Sequence, residues 1–145
     1  MEIVSFEIAK KLKEKGFKEK CLTYYDVDDN VWLLYNTQYT DETFPCQYTD
    51  LLISHNAGEG SQLDNSDNCV DAPTISQVLK WLREEKKIHL IVEIADSGWY
   101  YTSYPNIRWE NGKLKSDTYI MSFKNKPTYE QAALAGIEYV IDNLI

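Results

Sequence analysis

Cys46, His55 and Cys69 are the residues whose types could do metal or nucleophile chemistry, and Asp64, Asp67 and Asp71 lie near them in the same loop-rich stretch. Two thiolates, an imidazole and a carboxylate would make a tetrahedral zinc set. Structural zinc sites, however, draw their ligands as close pairs, two to four residues apart for cysteines, and no such pair occurs here. Separate loop side chains are the better reading. A thiol nucleophile built from Cys46 or Cys69 with His55 would further need an orienting group, and none is marked by spacing. Asp26, Asp28 and Asn30 alternate like the opening of a calcium loop, but Val31 stands where that loop needs glycine and Thr37 where it needs glutamate, so a plain turn is predicted. There is no G-x-G-x-x-G, no P-loop and no G-x-S-x-G, and Gly58-Glu59-Gly60 is not followed by a helix that could face a phosphate. The chemistry therefore predicts no catalytic residue, no metal and no cofactor. The alternative is a small metal-dependent hydrolase using the 46–71 loop.

Aromatic side chains are the stronger signal, with eleven Tyr, four Trp and four Phe. Trp99, Tyr100, Tyr101, Tyr104 and Trp109 crowd one hairpin region. Alternation along a strand sends them to both faces, so some are exposed unless both faces are covered. Large rigid rings with a polar tip suit protein interfaces. Trp99, Tyr101, Tyr104 and Trp109 are thus candidate protein-binding residues, for a partner protein or for self-association.

The net charge of −8 is unevenly spread. Residues 21–79 hold ten Asp or Glu and no Lys or Arg, whereas residues 80–145 hold nine of each sign. Phosphate-backbone binding needs clustered cations, so no nucleic-acid partner is predicted. Charged residues run through the first fifteen positions and no apolar run approaches a membrane span, so a cytoplasmic protein with no membrane partner is predicted. Three cysteines at wide spacings fit reduced thiols, with Cys21 in the core.

The elements that must position these side chains follow from periodicity and caps. A first helix is predicted from Ser5 to Lys15, with Ile8, Ala9 and Leu12 inward, Gly16 as its stop and Phe17 packing back. Residues 21–25 and 31–35 read as a hairpin. From 37 to 72 periodicity fades into a long acidic, loop-rich insertion with one short strand near 50–54, and Ser54–Asp71 reads as loop. Thr74 and Gln77 form a capping box ahead of a helix with Ile75, Val78, Leu79 and Leu82 on its apolar stripe and Trp81 at the edge. It passes into a strand in which Ile88, Leu90, Val92 and Ile94 alternate with His89, Ile91 and Glu93. Asp96-Ser97-Gly98 turns the chain into 99–104. Further strands are predicted at 107–109 or after Asn111-Gly112, and at 118–123. Thr128 and Gln131 cap a last helix, Tyr129–Asn143. The predicted fold is α+β, a single domain over 1–145 with order α-β-β-loop-α-β-β-β-α, an antiparallel sheet with helices packed on one face.

Three blocks carry a resemblance: IAKKLKEKGF at 8–17, APTISQVLKWLREEKKIHL at 72–90 and TYEQAALAGIEYVIDNLI at 128–145. They resemble a family of small uncharacterised proteins of Bacteroides-type gut bacteria and their phages and mobile elements. The resemblance implies a phage- or element-associated accessory protein and brings no catalytic residues with it; a non-enzymatic protein is predicted.

Overall fold

A two-residue turn, Asp96-Ser97, closes the longest strand pairing among the described residues. In the computed structural model, which describes residues 2–21, 23–25, 31–33, 70–122 and 124–145, the fold is α+β with small antiparallel sheets. The elements are α1 (Phe6–Glu14), β1 (Thr23–Tyr25), β2 (Val31–Leu33), β3 (Val70–Asp71), α2 (Ile75–Glu85), β4 (His89–Ala95), β5 (Gly98–Tyr104), β6 (Arg108–Glu110), β7 (Lys113–Lys115), β8 (Ile120–Met121) and α3 (Tyr129–Asn143). They fall into two compact units, Ile3–Thr74 and Met1–Glu2 with Ile75–Ile145.

In the first unit Ser5 caps α1, its hydroxyl accepting from Ile8 N at 3.3 Å. Ile8, Ala9 and Leu12 are buried as predicted. The helix ends in a Schellman arrangement, with Phe17 N donating to Leu12 O and Gly16 N to Lys13 O, and this folds Phe17 back into the core. β1 is the middle strand of the order β2-β1-β3, pairing Thr23 with Leu33 and Tyr25 with Val70. The run predicted to be loop through Asp71 thus ends earlier, because Val70–Asp71 completes the sheet beside β1. Two side chains lock this end. The Tyr25 hydroxyl donates to Val4 O, and the Thr23 hydroxyl donates to Ala72 O. Cys21 is buried, as predicted. The 26–30 turn, the 50–54 strand and most of the 37–72 insertion lie outside the described residues.

The second unit contains the sheet β4-β5-β8 and the two-stranded ribbon β6-β7. Because the β4–β5 loop has two residues, Ala95 and Gly98 form its closing hydrogen-bonded pair, and the pairing alternates from there to His89 opposite Tyr104. Trp99, Tyr101 and Ser103 consequently turn their backbone groups to the other side. The returning chain meets them there: Trp99 N donates to Lys126 O at 2.8 Å and Ser122 N to Tyr101 O at 2.9 Å.

Cross-strand partners share a face. Leu90, Val92, Trp99, Tyr101 and Ser103 therefore lie on one side of the β4–β5 hairpin, and His89, Ile91, Glu93, Tyr100 and Tyr104 on the other. Helix α3 covers the first side, packing across β4 and β5 and beside α2. Thr128 caps it, accepting from Gln131 N at 3.1 Å. Two details of the predicted core change. Trp81 is buried and Leu79 only half-buried, so the α2 stripe is rotated toward Trp81. Ile94 is 67% exposed, because the far end of β4 runs beyond the buried Ile88–Leu90 end.

Gly136 sets how closely α3 approaches. A Cβ there would lie 2.9 Å from Tyr101 Cγ and 3.0 Å from Leu90 Cδ1. Alanine would gain about 1 kcal/mol of helix propensity. Forcing a methyl against the base of a ring costs about 1–3 kcal/mol. Gly136→Ala is expected to lower stability modestly and Gly136→Val by about 3 kcal/mol or more, measured by urea unfolding; a stabilised valine variant would show that the contact is looser than described.

Candidate functional site

The face of the β4–β5 hairpin away from α3 leads into the ribbon, and the ribbon is an excursion between two neighbouring strands. β5 ends at Tyr104, the chain leaves at Pro105, and it returns at Ile120 to pair with Ser103. The ribbon turn is Asn111-Gly112, with φ of 52° and 74°. Two positive φ values in a two-residue loop define the type I′ turn that Asn-Gly favours, and this turn matches the twist of the strands. It pairs Trp109 with Leu114 on one face and Arg108 with Lys115 and Glu110 with Lys113 on the other.

Polar contacts at its base fix the ribbon. Asp117 accepts from Asn106 Nδ2 and from Arg108 Nη1, each at 2.7 Å, and these bonds hold its carboxyl below the usual range. The Ser116 hydroxyl has its one proton to donate between Pro105 O at 2.6 Å and Thr118 O at 2.9 Å. Ile107 N donates to Lys87 O at 2.8 Å, which ties the ribbon to the residues that follow α2. Lys87 itself takes a positive φ of 59°.

Two concavities flank the ribbon. The larger, about 630 Å³, is lined among the described residues by His89, Ile91, Tyr104, Ile107, Leu114, Tyr119 and the 115–118 turn. Three rings form a row across its floor, with His89 and Tyr104 centred 6.5 Å apart and Tyr104 and Tyr119 6.1 Å apart. The smaller, about 460 Å³, is lined by Arg83, Lys87, Asn106, Ile107, Arg108, Trp109 and Leu114. Ile107 and Leu114 belong to both walls. Trp109 is 75% exposed, Tyr119 61% and Leu114 56%.

The four candidate aromatics separate. Tyr104 lines the larger concavity and Trp109 the smaller. Trp99 and Tyr101 lie half-buried on the α3 side, Trp99 edge-on to Tyr129 at 5.6 Å and Tyr101 tilted against Tyr139 at 6.1 Å. Burial, and then Tyr139, raises the Tyr101 phenol above its ordinary pKa. Sequence alone does not single out Tyr119, Leu114 or Ile107. The Asn-Gly pair was the available signal for one of them, since a two-residue turn at 111–112 forces Leu114 opposite Trp109.

Cys46, His55, Cys69, Asp64 and Asp67 lie outside the described residues. Asp71 is buried in β3. Among the described residues no group of three or more His, Cys, Asp or Glu could hold a metal, and no helix is long and apolar enough to cross a membrane. The chain matches no family model, no curated protein and no solved structure.

His89 lies below its ordinary pKa of 6.5, through partial burial and then through the charge of Arg83. Its imidazole should titrate below 6.5 by NMR, and Arg83→Gln should move it back upward. The unfolded chain takes up this proton first as pH falls. The His89 contribution to stability is therefore complete above about pH 6.5 and is lost as pH drops from there through the folded value. An unshifted titration, or none of the change with Arg83→Gln, would refute the assignment. At the ribbon base, Asp117→Ala should speed amide exchange across 106–115 while leaving β4 and β5 protected, because it removes the shared acceptor of Asn106 and Arg108.

Proposed function

We propose that this protein is a non-enzymatic accessory protein, associated with phages or mobile elements, that acts through protein–protein contacts made by the β6–β7 ribbon and the two concavities beside it. The observation that carries the reading is the exposure of Trp109 and Leu114 on a braced ribbon, with Tyr119 exposed in the concavity beside it. Soluble proteins seldom expose neighbouring large apolar side chains without a use for them, and a charged rim around an apolar centre is the usual anatomy of an interface. Here Arg83, Lys87, Arg108 and Lys115 supply that rim.

Preorganisation supports the same reading. The type I′ turn and the Asp117 clamp hold the ribbon in one shape, so little ordering entropy is lost when a partner covers it. Tyr104 contributes from the adjacent floor, whereas Trp99 and Tyr101 act by positioning β5 beneath α3. The resemblance of residues 8–17, 72–90 and 128–145 to proteins of Bacteroides-type bacteria and their phages supports the biological setting.

The test is quantitative capture from a Bacteroides host lysate with the full chain and with Trp109→Ala/Leu114→Ser, alongside sedimentation of the purified protein. A discrete partner or a defined self-association is expected. The double variant should weaken it about tenfold or more, the scale of a central anchor residue, without lowering thermal stability. A monodisperse monomer that retains nothing, or a variant that binds as well as the parent, would overturn the proposal.

A further inference from the structure

We infer that the smaller groove, between the end of α2 and the ribbon, receives an acidic segment of a partner protein that carries an apolar side chain among its carboxylates; the inference rests on the protein-contact reading above. The groove pairs two chemistries. Ile107, Leu114 and Trp109 make its apolar part, and Arg83, Lys87 and Arg108 surround them.

The three cations differ in how they are already used. Arg108 is committed to Asp117 at 2.7 Å. Lys87 has no carboxylate within ion-pair range among the described residues; its ammonium donates one bond, to Glu84 O at 2.7 Å, and has two donors left. Among the described residues Arg83 reaches only Glu84, at 4.0 Å, the outer limit of an ion pair. Arg83 lies in the last turn of α2 and Lys87 two residues beyond its end, and among the described residues neither has a close carboxylate partner. The positive charge of Arg83 is felt beyond the groove, since it helps to hold His89 neutral.

An isolated anion would satisfy the cations and leave Trp109 and Leu114 uncovered. A purely apolar segment would cover those two and desolvate Arg83 and Lys87 without a partner, which is costly. A peptide with both features satisfies each requirement. A nucleic acid fits less well. Its affinity grows with the number of phosphates neutralised, and this groove offers two uncommitted cations on a chain whose net charge is −8.

The experiment is fluorescence anisotropy on the full chain with three probes: a ten-residue peptide with Phe between pairs of Glu, the same peptide with Lys in place of Glu, and a single-stranded oligonucleotide of equal charge to the first. The acidic peptide should bind best and weaken with added salt. Arg83→Glu/Lys87→Glu should reduce its affinity about tenfold or more, the order expected when close charge pairs are replaced by like charges. The neutral pair Arg83→Gln/Lys87→Gln should fall between, and circular dichroism should show both variants folded. Trp109→Ala should weaken binding by a comparable factor, which charge attraction alone would not produce.

Preference for the oligonucleotide, equal binding of the Lys peptide, or indifference to charge reversal would overturn the inference. So would a stable dimer that occupies the groove with a second copy. If none of the probes binds while lysate capture still depends on Trp109 and Leu114, the protein-contact reading stands and the acidic-segment inference alone falls.

Discussion

The second unit depends on one close approach, that of α3 to the β4–β5 hairpin at Gly136. A helix allowed to lie that near its sheet commits Leu90, Val92, Tyr101 and Ser103 to the face beneath it, because strand alternation leaves no choice once one member of the row is covered. The opposite row, His89, Ile91 and Tyr104, is thereby set on the far face, where it forms the floor of the larger concavity. Core and candidate surface are two consequences of a single registration. Ser103, fully buried opposite Leu90, fits the same constraint: a small side chain whose hydroxyl finds Ile120 O.

Much of this arrangement was legible because it rests on short-range rules. Ser5 and Thr128 announce helix starts, Gly16 a stop, and Asp96-Ser97-Gly98 and Asn111-Gly112 turns, each through a local backbone requirement. The alternation of 88–94 located β4. It could not say where along the strand burial ends, because that depends on the reach of elements elsewhere in the chain. Ile94 therefore read as core although it is exposed. The same limit applies to Trp81, whose burial is decided by the rotation of α2.

The candidate site was only partly legible, for a related reason. Aromatic density pointed to the 99–109 region, but density does not assign faces. Trp99 and Tyr101 lie under α3, Tyr104 and Trp109 on the open side, and the division follows from hairpin parity. Arg83 and Lys87 gave no sign of themselves in the sequence, since cations near a helix C-terminus have a sufficient explanation in the helix dipole. What marks them is position: the chain that follows α2 accepts from Ile107 N and so brings them to the ribbon. The loop chemistry of Cys46, His55 and Cys69 lies outside the described residues.

The chain-order economy of the second unit also bears on how it forms. The turns at 96–97 and 111–112 close within two residues, so the β4–β5 hairpin and the ribbon can each assemble from neighbours on a microsecond scale. The seat for Gly136 at Tyr101 and Leu90, by contrast, is more than thirty residues away along the chain. Docking of α3 is the longer-range closure of this unit, and its loop-closure cost exceeds that of either hairpin.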